Sequence, residues 1–251
     1  MAIALRKPEE IEKLRRAGAM VAQTLEYLKE TVEAGMTLAE VDEAGEAFLR
    51  KLGAEPSFKG LYGFPSAVCT SVNEVIIHGI PSDYTLKDGD ILGLDIGSKY
   101  EGYYGDAAIT IGIGGVSESD ERLMKCSEGA LKEAIAAIRP QLRFKELSEM
   151  LEEYITSRGF VPLKDYCGHG IGTKPHEEPN VPNYLEGKSN QGPKMKKGMV
   201  FCVEPMVCQK SGEPVLLEDG WSVLSEDGLR GSHHEHQVAV SENSAIVLTL
   251  P

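Results

Sequence analysis

Leu86-Lys87-Asp88-Gly89-Asp90-Ile91-Leu92-Gly93-Leu94-Asp95 lines up with Met195-Lys196-Lys197-Gly198-Met199-Val200-Phe201-Cys202-Val203-Glu204. Both segments open apolar-Lys-x-Gly, and a carboxylate closes each one. The chain around them follows the same order twice, with a helix pair ahead of each segment. This reads as an internal duplication with the acids in equivalent places.

Working outward, Pro8, Glu9 and Glu10 mark a helix start, proline at the first helical position and acids in the first turn. Ile11, Leu14, Val21, Leu25 and Leu28 then recur at helical spacing. Thr37 and Glu40 form a capping box for a second helix through Leu38, Val41, Phe48 and Leu52, stopped at Gly53. In the second half, Leu123, Leu131, Ile135 and Ile138 mark a helix ended by Pro140. Leu147, Leu151, Tyr154 and Ile155 mark the next, ended near Gly159. Strands are expected over 90–97, 103–113, 199–208 and 237–240, with a turn at 99–102. No low-complexity linker separates the halves, about 1–116 and 117–251, so one domain over 1–251 is expected.

The 251 residues are 41% hydrophobic and 26% charged, an ordinary soluble composition. The formal net charge of -13 disfavours nucleic acid and anionic membrane as partners. Cys69, Cys126, Cys167, Cys202 and Cys208 are odd in number and widely spaced, which argues against a disulfide framework. Met1 to Arg16 is charged throughout and lacks the apolar core of a signal peptide. A cytoplasmic location is expected.

Asp95 sits in an apolar run, and Asp106 lies across an expected hairpin from it. A turn centred between Tyr100 and Glu101 makes the acids direct partners, with Cβ atoms about 5 Å apart. A Glu101-Gly102 turn makes them diagonal on one face; only an odd-length loop separates them. Two buried carboxylates on one face repel unless a cation or a proton joins them. Glu204 ends a second apolar run. His233-His234-Glu235-His236, taken alone, reads as a polar turn. His78, His169 and His176 are placed in Gly/Pro-rich loops, where sites commonly lie. Four acids and a histidine form an oxygen-rich set, suited to Mn²⁺, Fe²⁺ or Co²⁺ and to two cations.

Asn73-Glu74-Val75 with His78-Gly79-Ile80-Pro81, Gly168-His169-Gly170-Ile171-Gly172, His176-Glu177-Glu178-Pro179, Glu204-Pro205-Met206, Asp219-Gly220-Trp221 and Glu235-His236 resemble the methionine aminopeptidases in order and spacing. The resemblance runs from about Pro8 to the C-terminus. It implies an α+β "pita-bread" fold, two pseudo-symmetric halves around a curved antiparallel sheet. It implies Asp95, Asp106, His169, Glu204 and Glu235 as ligands of two divalent ions, Co²⁺, Mn²⁺ or Fe²⁺, with Zn²⁺ or Ni²⁺ as further candidates. The implied reaction removes an initiator methionine ahead of a small second residue, by attack of a metal-bridging hydroxide. Glu204 is then the proton acceptor, His176 the stabiliser of the tetrahedral oxygen, and His78 a neighbour of the scissile nitrogen. Cys69, Phe64 and Trp221, with Phe58 and Leu61 nearby, are implied as the wall of the methionine slot. Implied partners are the N-termini of nascent proteins and the ribosome, with the enzyme a monomer.

The His169–Glu204 interval lacks room for the insertion of the type II enzymes, so the pattern is type I. Ser232-His233-His234 stand where the family often has Ala-Gln with Phe or Tyr; Gln237 and Pro175 are further departures. Proline-directed peptidases and creatinase share the ligands, but usually with a sizeable N-terminal domain. A metal-free binding protein is a further alternative, disfavoured by the complete ligand set. The chain's own Met1-Ala2 fits the implied substrate rule.

Overall fold

The computed structural model describes residues 3–251, so Met1 and Ala2, the expected self-substrate, lie outside the described residues. Four helices form where the sequence signals them: α1 (Pro8–Thr31), α2 (Leu38–Lys51), α3 (Glu118–Ala137) and α4 (Phe144–Thr156). Glu10 reaches back to the Lys7 amide at 2.9 Å, satisfying a free donor at the α1 start. Thr37 and Glu40 close the expected capping box on α2, and Gly53 follows with φ +96°. Ser117 caps α3 by accepting from the Asp120 amide at 3.1 Å.

The helices cover one side of a nine-stranded sheet whose neighbours all pair antiparallel. Pleat alternation sorts the Ile91–Tyr100 strand. Leu92, Leu94 and Ile96 pack in a core with Val21, Leu25 and Leu28 of α1. Asp95 and Gly97 therefore face the opposite side. In the second half Phe201 and Val203 enter a core with Leu123 and Leu131 of α3 and Leu147 and Leu151 of α4, while Cys202 alternates away from it.

The duplication appears in the backbone hydrogen bonds. Gly89 N donates to Ile113 O and Ile113 N to Asp90 O, both at 2.8 Å. Gly198 N donates to Val240 O and Val240 N to Met199 O, both at 2.9 Å. The glycine of each Lys-x-Gly turn has positive φ, +91° at Gly89 and +87° at Gly198, a conformation that costs glycine little. Asp95 and Glu204 thus leave equivalent turns along equivalent strands.

Three expectations are corrected. The strand expected over 199–208 is two, Val200–Val203 and Met206–Cys208, because Pro205 has no amide to continue the ladder. His169 is in a strand, Cys167–Gly170, rather than a loop, whereas His176 lies as expected in the connection that leads into the Glu177–Pro182 strand. His233 ends the Gly231–His233 strand and His234 is buried, so this stretch is no exposed polar turn. Among the described residues, no helix is long and apolar enough to cross a membrane.

Candidate metal centre and substrate cavity

Strand register builds the acid cluster. Tyr100 pairs with Tyr103, so the turn is Glu101-Gly102, and Asp106 lies opposite Gly97 with Asp95 opposite Ala108. The two aspartates are therefore diagonal on one face, the second of the two expected arrangements. Cys69 pairs with Asp95, and Ala108 pairs with Glu235 on its other side. One row thus runs Cys69–Asp95–Ala108–Glu235 across four strands. Glu204 falls one residue beyond the Val203–His236 pair, bringing it to the same row. The small Ala108 between the acids leaves the space above it open.

This cluster is electrostatically unsatisfied. Oδ1 of Asp95, Oδ1 of Asp106, Oε1 of Glu204 and Oε1 of Glu235 are buried with no hydrogen-bond partner among the described residues. Burial pushes the Asp95 carboxyl up to about 7. Burial first, then repulsion from Glu235 and Asp95, raises Asp106 well above the usual carboxylate range. Glu204 is raised by burial, then by Asp106 and Asp95, and Glu235 by burial, then by Glu204 and Asp95. Four such acids cannot all ionise together without compensating positive charge. Divalent cations fit: oxygen donors, orphaned lone pairs and excess negative charge converge here.

His169 supplies nitrogen. Its Nδ1 lies 3.1 Å from Gly170 O, and since a carbonyl only accepts, Nδ1 carries the proton. Nε2 then presents its lone pair, 3.5 Å from Glu204 Oε1 and 3.7 Å from Asp106 Oδ2. Burial, then the neighbouring His176, lowers His169 to about 3, so the ring is neutral and fit to ligate. Donor atoms of Asp106, His169, Cys202 and Glu235 lie within 4.8 Å of one another, as do those of Glu204, His233 and Glu235. Asp95 stands outside both groups, across the Ala108 position from Glu235.

An adjoining cavity of about 340 Å³ is lined by every residue the sequence singled out: Asp95, Asp106, His169, Glu204 and Glu235 at one end, His78 and His176, then Phe58, Leu61, Phe64, Cys69 and Trp221. Phe64 meets Trp221 edge-on at 5.1 Å, and Cys69, directly beside Asp95, joins the apolar wall to the acids. Asp219 Oδ1 accepts from the Trp221 and Ser222 amides, both at 2.8 Å, fixing the turn that presents the indole. Gly97 leaves room for Phe58; a Cβ there would stand 2.6 Å from its ring. His176 stacks edge-on to His169 at 4.3 Å. His78 has φ +57°, and burial lowers its ring to about 4. A larger cleft of about 590 Å³ between α1 and α3 has Lys29, Lys125 and Lys132 among Glu26, Glu121 and Glu128, a mixed-charge surface that Glu235 lines but Asp95, Asp106 and Glu204 do not.

Sequence reasoning missed Tyr62, Ile77, Tyr166, Cys167 and Asn180, which also line the cavity. Tyr62 stacks over His176 at 6.0 Å, and Tyr166 meets His78 edge-on at 5.8 Å. No spacing announces these contacts, because each joins segments far apart in sequence. His233, noted in the sequence only as a departure from the family pattern, stands two residues before Glu235, the interval that puts strand residues on one face.

Fold and site together define a metal-dependent hydrolase with an apolar slot beside its acid cluster. The pattern of metallopeptidase family M24 matches residues 12–242. The methionine aminopeptidase of Helicobacter pylori strain J99 is 58% identical over 99% of both chains. The crystal structure of the Thermotoga maritima methionine aminopeptidase superposes with TM-score 0.97 over all of both chains at 38% identity. The prolidase of Pyrococcus furiosus superposes with TM-score 0.80 at 26% identity, covering 98% of this chain and 65% of that one. The chain belongs to metallopeptidase family M24 and, within it, to the methionine aminopeptidases. Its fold is the α+β pita-bread fold.

Proposed function

We propose that this protein hydrolyses the N-terminal methionine from nascent polypeptides whose second residue is small, using two divalent cations. The observation that carries this reading is one cavity uniting an orphaned acid–histidine cluster with a sulfur- and aromatic-lined slot. Asp95, Asp106, His169, Glu204 and Glu235 are the residues that would hold Co²⁺, Mn²⁺ or Fe²⁺, with Zn²⁺ or Ni²⁺ as further candidates. Bound there, the cations supply Lewis acidity and lower the pKa of water.

The chain's own groups do the rest. Phe58, Leu61, Phe64, Cys69 and Trp221 take up the methionine side chain, whose polarizable thioether suits an aromatic wall. Glu204 accepts the proton of the attacking water at its unpartnered Oε1. His176, kept neutral by burial, hydrogen-bonds the oxygen of the tetrahedral intermediate. His78 holds the scissile nitrogen's side of the substrate. Ligands come from both duplicated halves, which fits one catalytic domain over 1–251. The reading places the protein in the cytoplasm as a monomer, meeting chain ends near the ribosome. Chelation should abolish cleavage of a Met-Ala-Ser peptide, and added Mn²⁺, Fe²⁺ or Co²⁺ should restore it. Full turnover by a verified metal-free sample overturns the reading.

A further inference from the structure

We propose that His233 is an additional metal-binding residue of this centre, its Nε2 joining one carboxylate oxygen each from Glu204 and Glu235 to hold a divalent cation. The inference rests on the metal-dependent reading above. His233 is buried, and its Nε2 has no hydrogen-bond partner among the described residues. That nitrogen lies 3.8 Å from Glu204 Oε2 and 4.0 Å from Glu235 Oε2, too far for hydrogen bonds. It is close to the spacing of His169 Nε2 from its own acids, 3.5 Å and 3.7 Å. An ion about 2.0–2.2 Å from each donor fits between atoms so spaced. By this measure the two histidines are equivalent neighbours of the cluster.

The backbone fixes where His233 points. Its amide donates to Thr110 Oγ1 at 2.9 Å, and the Thr110 hydroxyl donates back to its carbonyl at 2.8 Å. Its strand pairs with Met206, two residues past Glu204, so the ring is held beside that acid. The adjacent His234 is spent otherwise, its Nδ1 2.8 Å from Ser127 Oγ on α3. At the His233 position the family often has glutamine, whose amide can hydrogen-bond a carboxylate but is a poorer ligand for a borderline cation than imidazole. This chain therefore offers its centre two imidazoles where the family pattern supplies one.

The test uses the full chain loaded with Co²⁺, as wild type, His233→Gln and His169→Gln, each checked for fold by circular dichroism. Proton NMR should show two hyperfine-shifted, exchangeable imidazole N–H signals in the wild type. His233→Gln should lose one and His169→Gln the other. Equilibrium titration should show Co²⁺ binding weakened about 10–100-fold in His233→Gln. A wild-type spectrum with a single imidazole signal, or Co²⁺ affinity unchanged in His233→Gln, overturns the inference and leaves the enzyme reading standing. A wild type that binds no Co²⁺ overturns both.

Discussion

Arg6 and Glu177 form a mostly buried ion pair that ties the segment ahead of α1 to the residue after His176. The Arg6 amide donates to Gly198 O at 2.7 Å, and its guanidinium lies over Gly172, where a Cβ would stand 1.9 Å from Nη2. Glu177 Oε1 meanwhile accepts from the Thr173 and Lys174 amides, both at 3.1 Å, bracing the turn that leads into His176. Arg6→Ala leaves Glu177 under-compensated. We expect a loss of roughly 1–3 kcal/mol, below the ~3–5 of a fully buried pair because both groups keep some exposure. We also expect a fall in kcat with partial rescue by Arg6→Lys. Urea melts and steady-state kinetics on one Met peptide check both parts; unchanged kcat would mean the brace does not serve His176.

Gly97 sits opposite Asp106, and a Cβ there would meet Ser57 Oγ at 2.1 Å and the Phe58 ring at 2.6 Å. Gly97→Ala should push Phe58 out of the slot, raising KM for Met peptides more than it lowers kcat. The overpacking should cost about 1–3 kcal/mol. Metal content should stay at the wild-type value. A variant with wild-type KM would show that Phe58 does not shape the slot.

Glu204→Gln keeps the side chain's shape while removing a carboxyl group from the acid cluster and the proton acceptor proposed above. Loss of a general base lowers kcat by about 10²–10⁴-fold, and weakened metal binding adds to this. In metal-free protein the same change should raise Tm, since it removes one acid that burial and its neighbours disfavour. Retention of most of kcat would show that Glu204 has been given the wrong role.

Metal stabilisation should grow with pH. The Asp95 carboxyl is held near 7 in the folded metal-free chain, above its ordinary 3.8. Its protonated form is thus favoured by folding; that contribution is complete below about 4 and is lost as pH rises through about 7. Asp106, Glu204 and Glu235 are shifted the same way by burial and mutual repulsion. His169 is shifted down to about 3, so it competes with cations only in strong acid. The Tm gap between Mn²⁺-loaded and chelated protein should widen from pH 5 to pH 8. Differential scanning fluorimetry across that range checks it; a gap that narrows contradicts the electrostatics.

The duplicated Lys-x-Gly turns and the capping box at Thr37 and Glu40 were legible because they depend on neighbours in sequence. Asp95 and Asp106 were legible as a pair on one face, since strand alternation is local, but the turn position stayed open until Tyr100 was seen to pair with Tyr103. Tyr62 over His176 was not legible: it joins separate segments through a backbone φ of +51° that no motif announces. His233 was obscured by its company. A run of histidines beside a serine resembles a surface turn, yet register turns His233 toward Glu204 and His234 toward Ser127.

The most direct test is a Met-Xaa-Ser peptide panel, run on chelated protein before and after Mn²⁺ is restored. Release of free methionine should appear only with the cation. It should be efficient for Xaa = Gly, Ala, Ser, Cys, Thr, Pro or Val and absent for Leu, Lys or Arg, if the proposed path past His78 and His176 excludes large side chains. Equal cleavage of Met-Ala-Ser and Met-Lys-Ser would contradict the substrate rule. Failure to cleave either peptide, or preference for Ala-Pro over Met-Ala, would contradict the function.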